Sequence, residues 1–422
     1  MSSSHDRKCL MIKNSRPKNP ARGAVCPIVG LGASAGGLVA FTQLLKELPV
    51  DTGFGFVVVQ HLDPLHQSAL AQLLARATAM PVREAANNLR VLANHVYIIP
   101  PNASMGIVRG RLKLQPRTRN GMASRSIDVF FEALARDQQE RAIGVILSGN
   151  ASDGTIGLEA IKAEGGLTFA QDDSARYESM PRSAIAAGCV DAVLSPAQIA
   201  REVARIARHP YVAGPAAVAA NRRGAAASAD PSAPAGRPEQ DSYKKILLLL
   251  RNHTGVDFSY YKPTTIRRRM TRRAVLNHRE SLANYAEFLR GNAREIEALY
   301  ADTLISVTGF FRNADAFAVL KSKVLARLLA QRGDAPLRVW VLGCSTGQEA
   351  YSIAMLFTEA AAKSHRPRKL QIFATDLSET NLNRARHGLY PKSVTLDVSP
   401  DRSRRFFVPE DGGYRVAKSP PE

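Results

Sequence analysis

Ser34, His61 and Asp153 are the residues of this chain whose types suit the hydrolysis of an ester. Such a reaction asks for a nucleophile, a base of near-neutral pKa with a carboxylate to orient it, and N–H donors for the developing oxyanion. Each of the three follows a short apolar run. Ser34 lies in Val-Gly-Leu-Gly-Ala-Ser-Ala-Gly-Gly (29–37), His61 ends the run from Phe54, and Asp153 lies in the Ser148–Gly154 loop after Ile143–Leu147. Taken singly, each has a plainer reading. Ser34 would sit in a phosphate turn or a tight βα corner, His61 would be structural, and Asp153 would cap a helix starting at Thr155. A second set occurs late in the chain, where Trp340–Leu342 meets Gly343-Cys344-Ser345-Thr346-Gly347 and a later strand ends at Asp376. That pattern suits a nucleoside cofactor whose ribose hydroxyls donate to the acid, with NAD or no ligand as the alternatives.

The elements that must position these groups alternate in period. Apolar strands at Pro27–Leu31, Phe54–Val59 and Ile143–Leu147 are followed by helical spacing in Leu38/Phe41/Leu44/Leu45, Leu70/Leu73/Leu74 and Thr155–Ala163. The expected fold is therefore α/β, a doubly wound parallel sheet whose strand ends converge on one rim. Short runs at Val96–Ile99 and Ile107–Leu114 are expected to pair as a hairpin or an edge. Ile127, Phe130, Phe131 and Leu134 mark another helix.

Composition divides the rest. Residues 1–24 are basic and polar with no apolar core, as a flexible tail would be, not a signal peptide. The α/β block is expected over 25–208. Residues 209–240 are dominated by Ala, Pro, Gly, Ser and Arg and read as a disordered linker. Helical periodicity then returns over 241–312, and a partial Rossmann-like domain follows over 313–422. The net charge of +20 implies an acidic partner, yet no aromatic–basic alternation or zinc-finger spacing points to nucleic acid. Four cysteines (Cys9, Cys26, Cys189, Cys344) without Cys-x-x-Cys spacing suggest neither a disulfide framework nor a metal site. No run is long enough to span a bilayer, so the expected location is cytoplasmic.

Four motifs in register, Gly-Ala-Ser-Ala-Gly-Gly, Gln60-His61, Leu147-Ser148-Gly149 through Asp153-Gly154, and Ala170-Gln171-Asp172 with Met180-Pro181-Arg182, resemble the catalytic domain of CheB, the chemotaxis protein-glutamate methylesterase. The resemblance covers Pro27 to Pro196. It implies Ser34 as nucleophile, His61 as general base and Asp153 as the orienting carboxylate, acting on glutamyl methyl esters of chemoreceptor cytoplasmic helices in a histidine kinase pathway. The esterase chemistry needs no cofactor. Ala35 replaces the family's threonine, and Asn150-Ala151 replaces Met-Gly, a change that is harmless only if φ at Ala151 is negative. The family's receiver domain is not recognised. A serine hydrolase or glutamine deamidase acting on another protein, and a non-catalytic signalling scaffold, are the alternatives.

Thr254-Gly255-Val256-Asp257-Phe258, Tyr261 to Arg273, Val307-Thr308-Gly309-Phe310-Phe311-Arg312, Gly343 to Ser352 and Ala374-Thr375-Asp376 resemble CheR, the chemotaxis receptor methyltransferase. By that resemblance Thr308, Arg312, Gln348, Glu349 and Asp376 would bind S-adenosylmethionine. The family's two glutamates are Gln348-Glu349 here, and its usual asparagine is Ser306. Its later strands have no counterpart, which implies an incomplete transferase with weak or absent activity. The cluster Arg267, Arg268, Arg269, Arg272 and Arg273 is a solvated helix face on the plain reading. On the family's pattern it would be a surface that steers acidic receptor helices.

Overall fold

A computed structural model describes residues 26–61, 69–116, 125–209, 237–304, 308–330, 335–362, 369–391, 398–410 and 413–417. The expected tail, the bulk of the linker, Ser306 and Val307 lie outside them.

The amino-terminal half runs β1 (Ile28–Ala33), α1 (Gly37–Glu47), β2 (Gly55–Gln60), α2 (Leu70–Ala75), β3 (Val82–Glu84), β4 (His95–Ile98), β5 (Ala103–Val108), β6 (Arg111–Pro116), α3 (Ser126–Gln138), β7 (Ala142–Ile146), α4 (Thr155–Ala163), β8 (Leu167–Gln171), α5 (Ser179–Ala186), β9 (Ala192–Leu194) and α6 (Pro196–Ala207). Seven strands form one all-parallel sheet in the order β3-β4-β2-β1-β7-β8-β9. The chain leaves β1 in one direction for β2 and returns on its other side as β7, so the carboxyl ends of these strands flank a topological switch point, the usual place for a ligand crevice. Alternation along each strand feeds two cores. Val29, Leu31, Phe56 and Val58 meet α1, α2 and α6 on one face. Ile28, Val57, Val59 and Ile146 meet α3, α4 and α5 on the other. Residues Val96–Ile98 belong to β4, second from the sheet's edge and parallel to its neighbours, not to a hairpin; the hairpin is β5–β6 alone. Its strand is buried on both faces, which a four-residue apolar run cannot announce by alternation.

Helix α7 (Arg237–Thr254) begins inside the expected linker, whose last residues are therefore helical. With α8 (Pro263–Leu276), α9 (Leu282–Arg290) and α10 (Ala293–Thr303) it encloses a core of Ile246, Leu250, Ile266, Met270, Tyr285, Leu289 and Leu299. The last region holds α11 (Ala314–Val319), which continues through a π-helical turn into α12 (Ala326–Ala330), then β10 (Leu337–Leu342), α13 (Gln348–Ala361), β11 (Leu370–Thr375), α14 (Glu379–His387), β12 (Leu389–Tyr390), α15 (Pro400–Phe406), β13 (Phe407–Glu410) and β14 (Gly413–Val416). Among the described residues β10 and β11 pair only with each other, in parallel. Trp340, Leu342 and Phe373 on this pair are more than half exposed. No helix among the described residues is long and apolar enough to cross a membrane.

Candidate active site

The switch point collects the first set of residues. Ala33 is in register with Gln60, so Ser34 and His61 follow on adjacent strands at the same rim. Asp153 reaches that rim from the loop after β7, and its Oδ2 lies 2.7 Å from His61 Nε2. The carboxylate is almost wholly buried while the ring keeps about a quarter of its surface open (5% and 24%). Two backbone N–H groups at the start of α3 fix the carboxylate: Ile127 N donates to Oδ2 at 3.0 Å and Asp128 N to Oδ1 at 2.9 Å. Asp153 does cap a helix, therefore, but α3 and not the one starting at Thr155.

Asp128 answers in kind. Its Oδ1 accepts from Gly154 N (2.9 Å) and Gly157 N (2.8 Å), capping α4, so two buried carboxylates exchange caps between neighbouring helices. Burial, and next the nearby Asp153 charge, push the Asp128 carboxyl up to about 8. This residue escaped the sequence reading because one acid in the first turn of an amphipathic helix is the commonest of patterns.

Ser34 is anchored by its backbone. Its N–H donates to Ser148 O at 3.0 Å, and its carbonyl accepts from Gln60 Nε2 at 3.3 Å. Gly36 has φ +76°, and a Cβ there would meet Ser148 Oγ at 2.6 Å. The neighbouring Gly149 comes so close to Ser34 that its own added Cβ would stand 3.1 Å from Ser34 Cβ. No hydrogen bond joins the Ser34 hydroxyl to the imidazole among the described residues. Because Asp153 holds Nε2, the nitrogen left to accept a proton is Nδ1. Ala151, in the loop before Asp153, has φ +67°, so the replacement of the family's glycine falls at a left-handed position, where alanine is strained.

The second set gathers around a cavity of about 420 Å³ whose lining includes Tyr261, Thr308, Arg312, Ser345, Glu349 and Asp376. Gln348 lies outside it: the side chain is buried and accepts from Thr346 Oγ1 at 2.7 Å. Asp376 is fixed by two N–H donors, Ser345 on Oδ2 and Ser378 on Oδ1, both at 2.8 Å. Ser345 Oγ is buried without a partner in that cavity, which together with two carboxylates suits a polar, cationic ligand. Tyr261 and Ser345 were both visible in quoted motifs, but nothing in the sequence aims them at the cavity.

The sheet and its switch-point rim define a doubly wound α/β domain with a serine–histidine–aspartate grouping, followed by a helical domain and a cavity lined by Thr308, Arg312, Glu349 and Asp376. Residues 29–203 match the CheB methylesterase family, 241–304 the all-alpha domain of CheR methyltransferase, and 306–420 its SAM-binding domain. The chain thus joins a CheB methylesterase domain to the two CheR domains. It is 37% identical over 360 residues to a 104.1 kDa protein in the hypE 3'region of Rhodobacter capsulatus, covering 82% of this chain and 37% of that protein. It is 38% identical over 185 residues to protein-glutamate methylesterase/protein-glutamine glutaminase 4 of Burkholderia thailandensis, covering 43% of this chain and 54% of that one. The crystal structure of the Thermotoga maritima CheB methylesterase catalytic domain aligns over its whole length with 43% of this chain, at 28% identity and a TM-score of 0.41. The chain therefore spans little more than a third of the first relative and about half of the second.

Proposed function

We propose that the domain over 25–208 hydrolyses glutamyl methyl esters on the cytoplasmic helices of chemoreceptor-like proteins. The 2.7 Å bond between His61 and the capped Asp153, beside the register position of Ser34, carries this reading. Ser34 Oγ attacks the ester carbonyl and its proton passes to His61 Nδ1. The imidazolium, stabilised by Asp153, returns that proton to the departing methoxide, which leaves as methanol. Water, deprotonated by the same imidazole, then opens the acyl-serine and frees the glutamate carboxylate and the serine hydroxyl. The start of α1 at Gly37 sets the positive end of its dipole close behind Ser34, where negative charge develops. Ser34→Ala should abolish methanol release from a methylated receptor fragment while its circular dichroism stays that of the parent. Unchanged release would end the assignment. Glutamine deamidation is a second reading, favoured by the paired activities in the Burkholderia relative's name. The same attack on an amide would release ammonia, so methyl-ester and glutamine peptides offered side by side separate the two.

The region after Thr308 is proposed to bind S-adenosylmethionine through Thr308, Arg312, Ser345, Glu349 and Asp376, with Gln348 supporting the turn from beneath. Bound there, the cofactor would supply a sulfonium methyl group for transfer to a glutamate carboxylate, and the acidic side chains would complement its positive charge. The open face carrying Trp340, Leu342 and Phe373 supports weak methyl transfer, because a two-stranded sheet covered on one face alone holds a cofactor loosely. Calorimetric binding as tight as that of a complete transferase would overturn this part alone.

A further inference from the structure

The arginines of α8 (Pro263–Leu276) do not face solvent. Arg269 donates through both terminal nitrogens to the carbonyls of Lys162 and Ala163, the last residues of α4. Arg268 reaches the Glu164 carbonyl, with Glu140 and Glu164 carboxylates beside it. Arg272 is fully buried; its Nε donates to Gly166 O at 2.8 Å, and its terminal nitrogens pair with Asp191 of the first domain and Asp302 of α10. Burial alone would push the Asp191 carboxyl up, but Arg272 and Lys162 outweigh it and hold it below the ordinary range. Arg273 turns inward to Glu295, with both ion-pair bonds inside its own domain. Only Arg267 departs from this, pairing with Glu239 at the surface.

Two further contacts have the same logic. Val275 at the end of α8 sits in the apolar core beneath α1 and α6, and Arg205 Nη2 of α6 donates to its carbonyl at 2.8 Å. From α14, Arg384 donates to Ala187 O and Ala186 O, the end of α5. The last carbonyls of a helix have no partner within it and sit at the negative end of its dipole, so guanidinium groups suit them doubly. The transferase region thus clasps the carboxyl ends of α4 and α5, whose amino ends lie beside Asp153 and Gly149.

We propose that the arginine face of α8 is a docking surface for the esterase domain of the same chain, and that an acidic protein helix gains those guanidinium groups only when the two domains part. The docking rests on the contacts above and not on the esterase chemistry; the acidic helix as competitor follows from the receptor reading. A helix rich in glutamate would have to displace carbonyls and a buried carboxylate already bonded to the same fork of donors. In this chain the surface expected to steer receptors is closed.

The test opens the interface from its other side, leaving every α8 arginine in place. Asp191→Asn keeps an oxygen for Thr168 but removes the charge from Arg272, and Glu164→Lys sets a like charge against Arg268. The probe is a fluorescein-labelled glutamate-rich helical peptide, free of methyl esters, read by anisotropy at low salt. The full-length parent should bind it weakly, and the double variant at least tenfold more tightly. Adding Arg268→Ala and Arg269→Ala should abolish that gain, which locates it on α8 and not elsewhere on a basic chain. Hydrogen exchange at residues 162–166 should quicken tenfold or more in the double variant while β1 and β7 stay protected. Should the double variant fail to fold, Arg384→Ala, at an exposed site on α14, should give the same changes in smaller measure. Parent binding equal to that of the opened variants, or unchanged exchange at 162–166, would overturn the proposal. Methanol release from an esterified fragment, measured on the same samples, reports separately on the esterase.

Discussion

The aspartates of the two candidate sites both lie in loops that follow strands, and they are built to different standards. Asp153 takes N–H donors from the start of a helix about 25 residues earlier in the chain, and Asp128 on that helix caps the helix following Asp153. Asp376 takes one donor from its own following turn and one from the turn after β10. The first sits under a sheet sealed on both faces, while the second closes a two-strand sheet with exposed tryptophan, leucine and phenylalanine. The difference is one of layers. A carboxylate held by a helix start that is itself packed under a covered sheet keeps its aim when a substrate arrives, and one held by two turns beside an open sheet moves with those turns.

The sharpest way to break this comparison is at the aim itself. Asp153→Asn should lower methanol release by about 10³–10⁴-fold, the usual cost of losing the orienting charge and tautomer. A loss below tenfold would mean that the ring needs no such hold. A structural contrast comes next. A Cβ at Gly157 would stand 2.4 Å from Phe131 Cβ and 3.2 Å from Asp128 Cα, so Gly157→Val must pry α3 from α4. It should cost about 3 kcal/mol, the upper range for overpacking. Gly309→Ala meets nothing within 4 Å and should cost under about 0.5 kcal/mol. Urea midpoints of the two variants decide this, and equal shifts would erase the distinction between the halves.

How far the sequence reveals this design follows from what each feature depends on. The Ser34, His61 and Asp153 loops were legible because strand-to-helix changes of period mark strand ends, and strand ends in such a sheet converge. Asp128 was not, because its burial comes from α4 closing over it, a contact between helices that no local pattern encodes. The α8 arginines misled for a related reason. Their partners across the domain boundary are the carbonyls at and just after the end of α4 and the carboxylates of Glu140, Glu164 and Asp191, all over 80 residues away, and no local pattern announces such partners. Gln348 reads as a ligand from its place in a motif, yet the helix that starts there turns it inward. Ala151 was the opposite case, since its substitution for glycine posed a question about φ that only coordinates answer, and the answer is +67°.

The exchange of caps makes a pH prediction. With its carboxyl raised to about 8, Asp128 keeps a proton in the folded chain that the unfolded chain has released above about pH 4. The folded state therefore binds more protons across roughly pH 4–8, and stability falls as pH rises through that window, by at most about 1.4 kcal/mol per unit. Asp128→Asn removes this dependence. The unfolding free energy of the parent minus that of the variant, measured in urea at pH 5, 6, 7 and 8, should decline steadily and level off above 8. A flat difference would show that the folded chain holds Asp128 ionised throughout, with Arg125 at 3.6 Å as its counter-charge.

A small effect sharpens the comparison within the esterase loop. Ala151 is exposed, so its left-handed backbone is opposed by its own Cβ and relieved by no packing. Holding a non-glycine residue there costs about 1–2 kcal/mol. Glycine would recover that but lose about 0.4–1 kcal/mol to the greater freedom of the unfolded chain. Ala151→Gly should therefore stabilise the esterase domain by about 0–1.6 kcal/mol, seen as a small rise in its urea midpoint with an unchanged slope. If the strain serves to hold the loop against Asp153, the same variant should also lower methanol release several-fold despite its greater stability. A rise in both stability and rate would mean that the capped carboxylates position the loop without help from its strained turn.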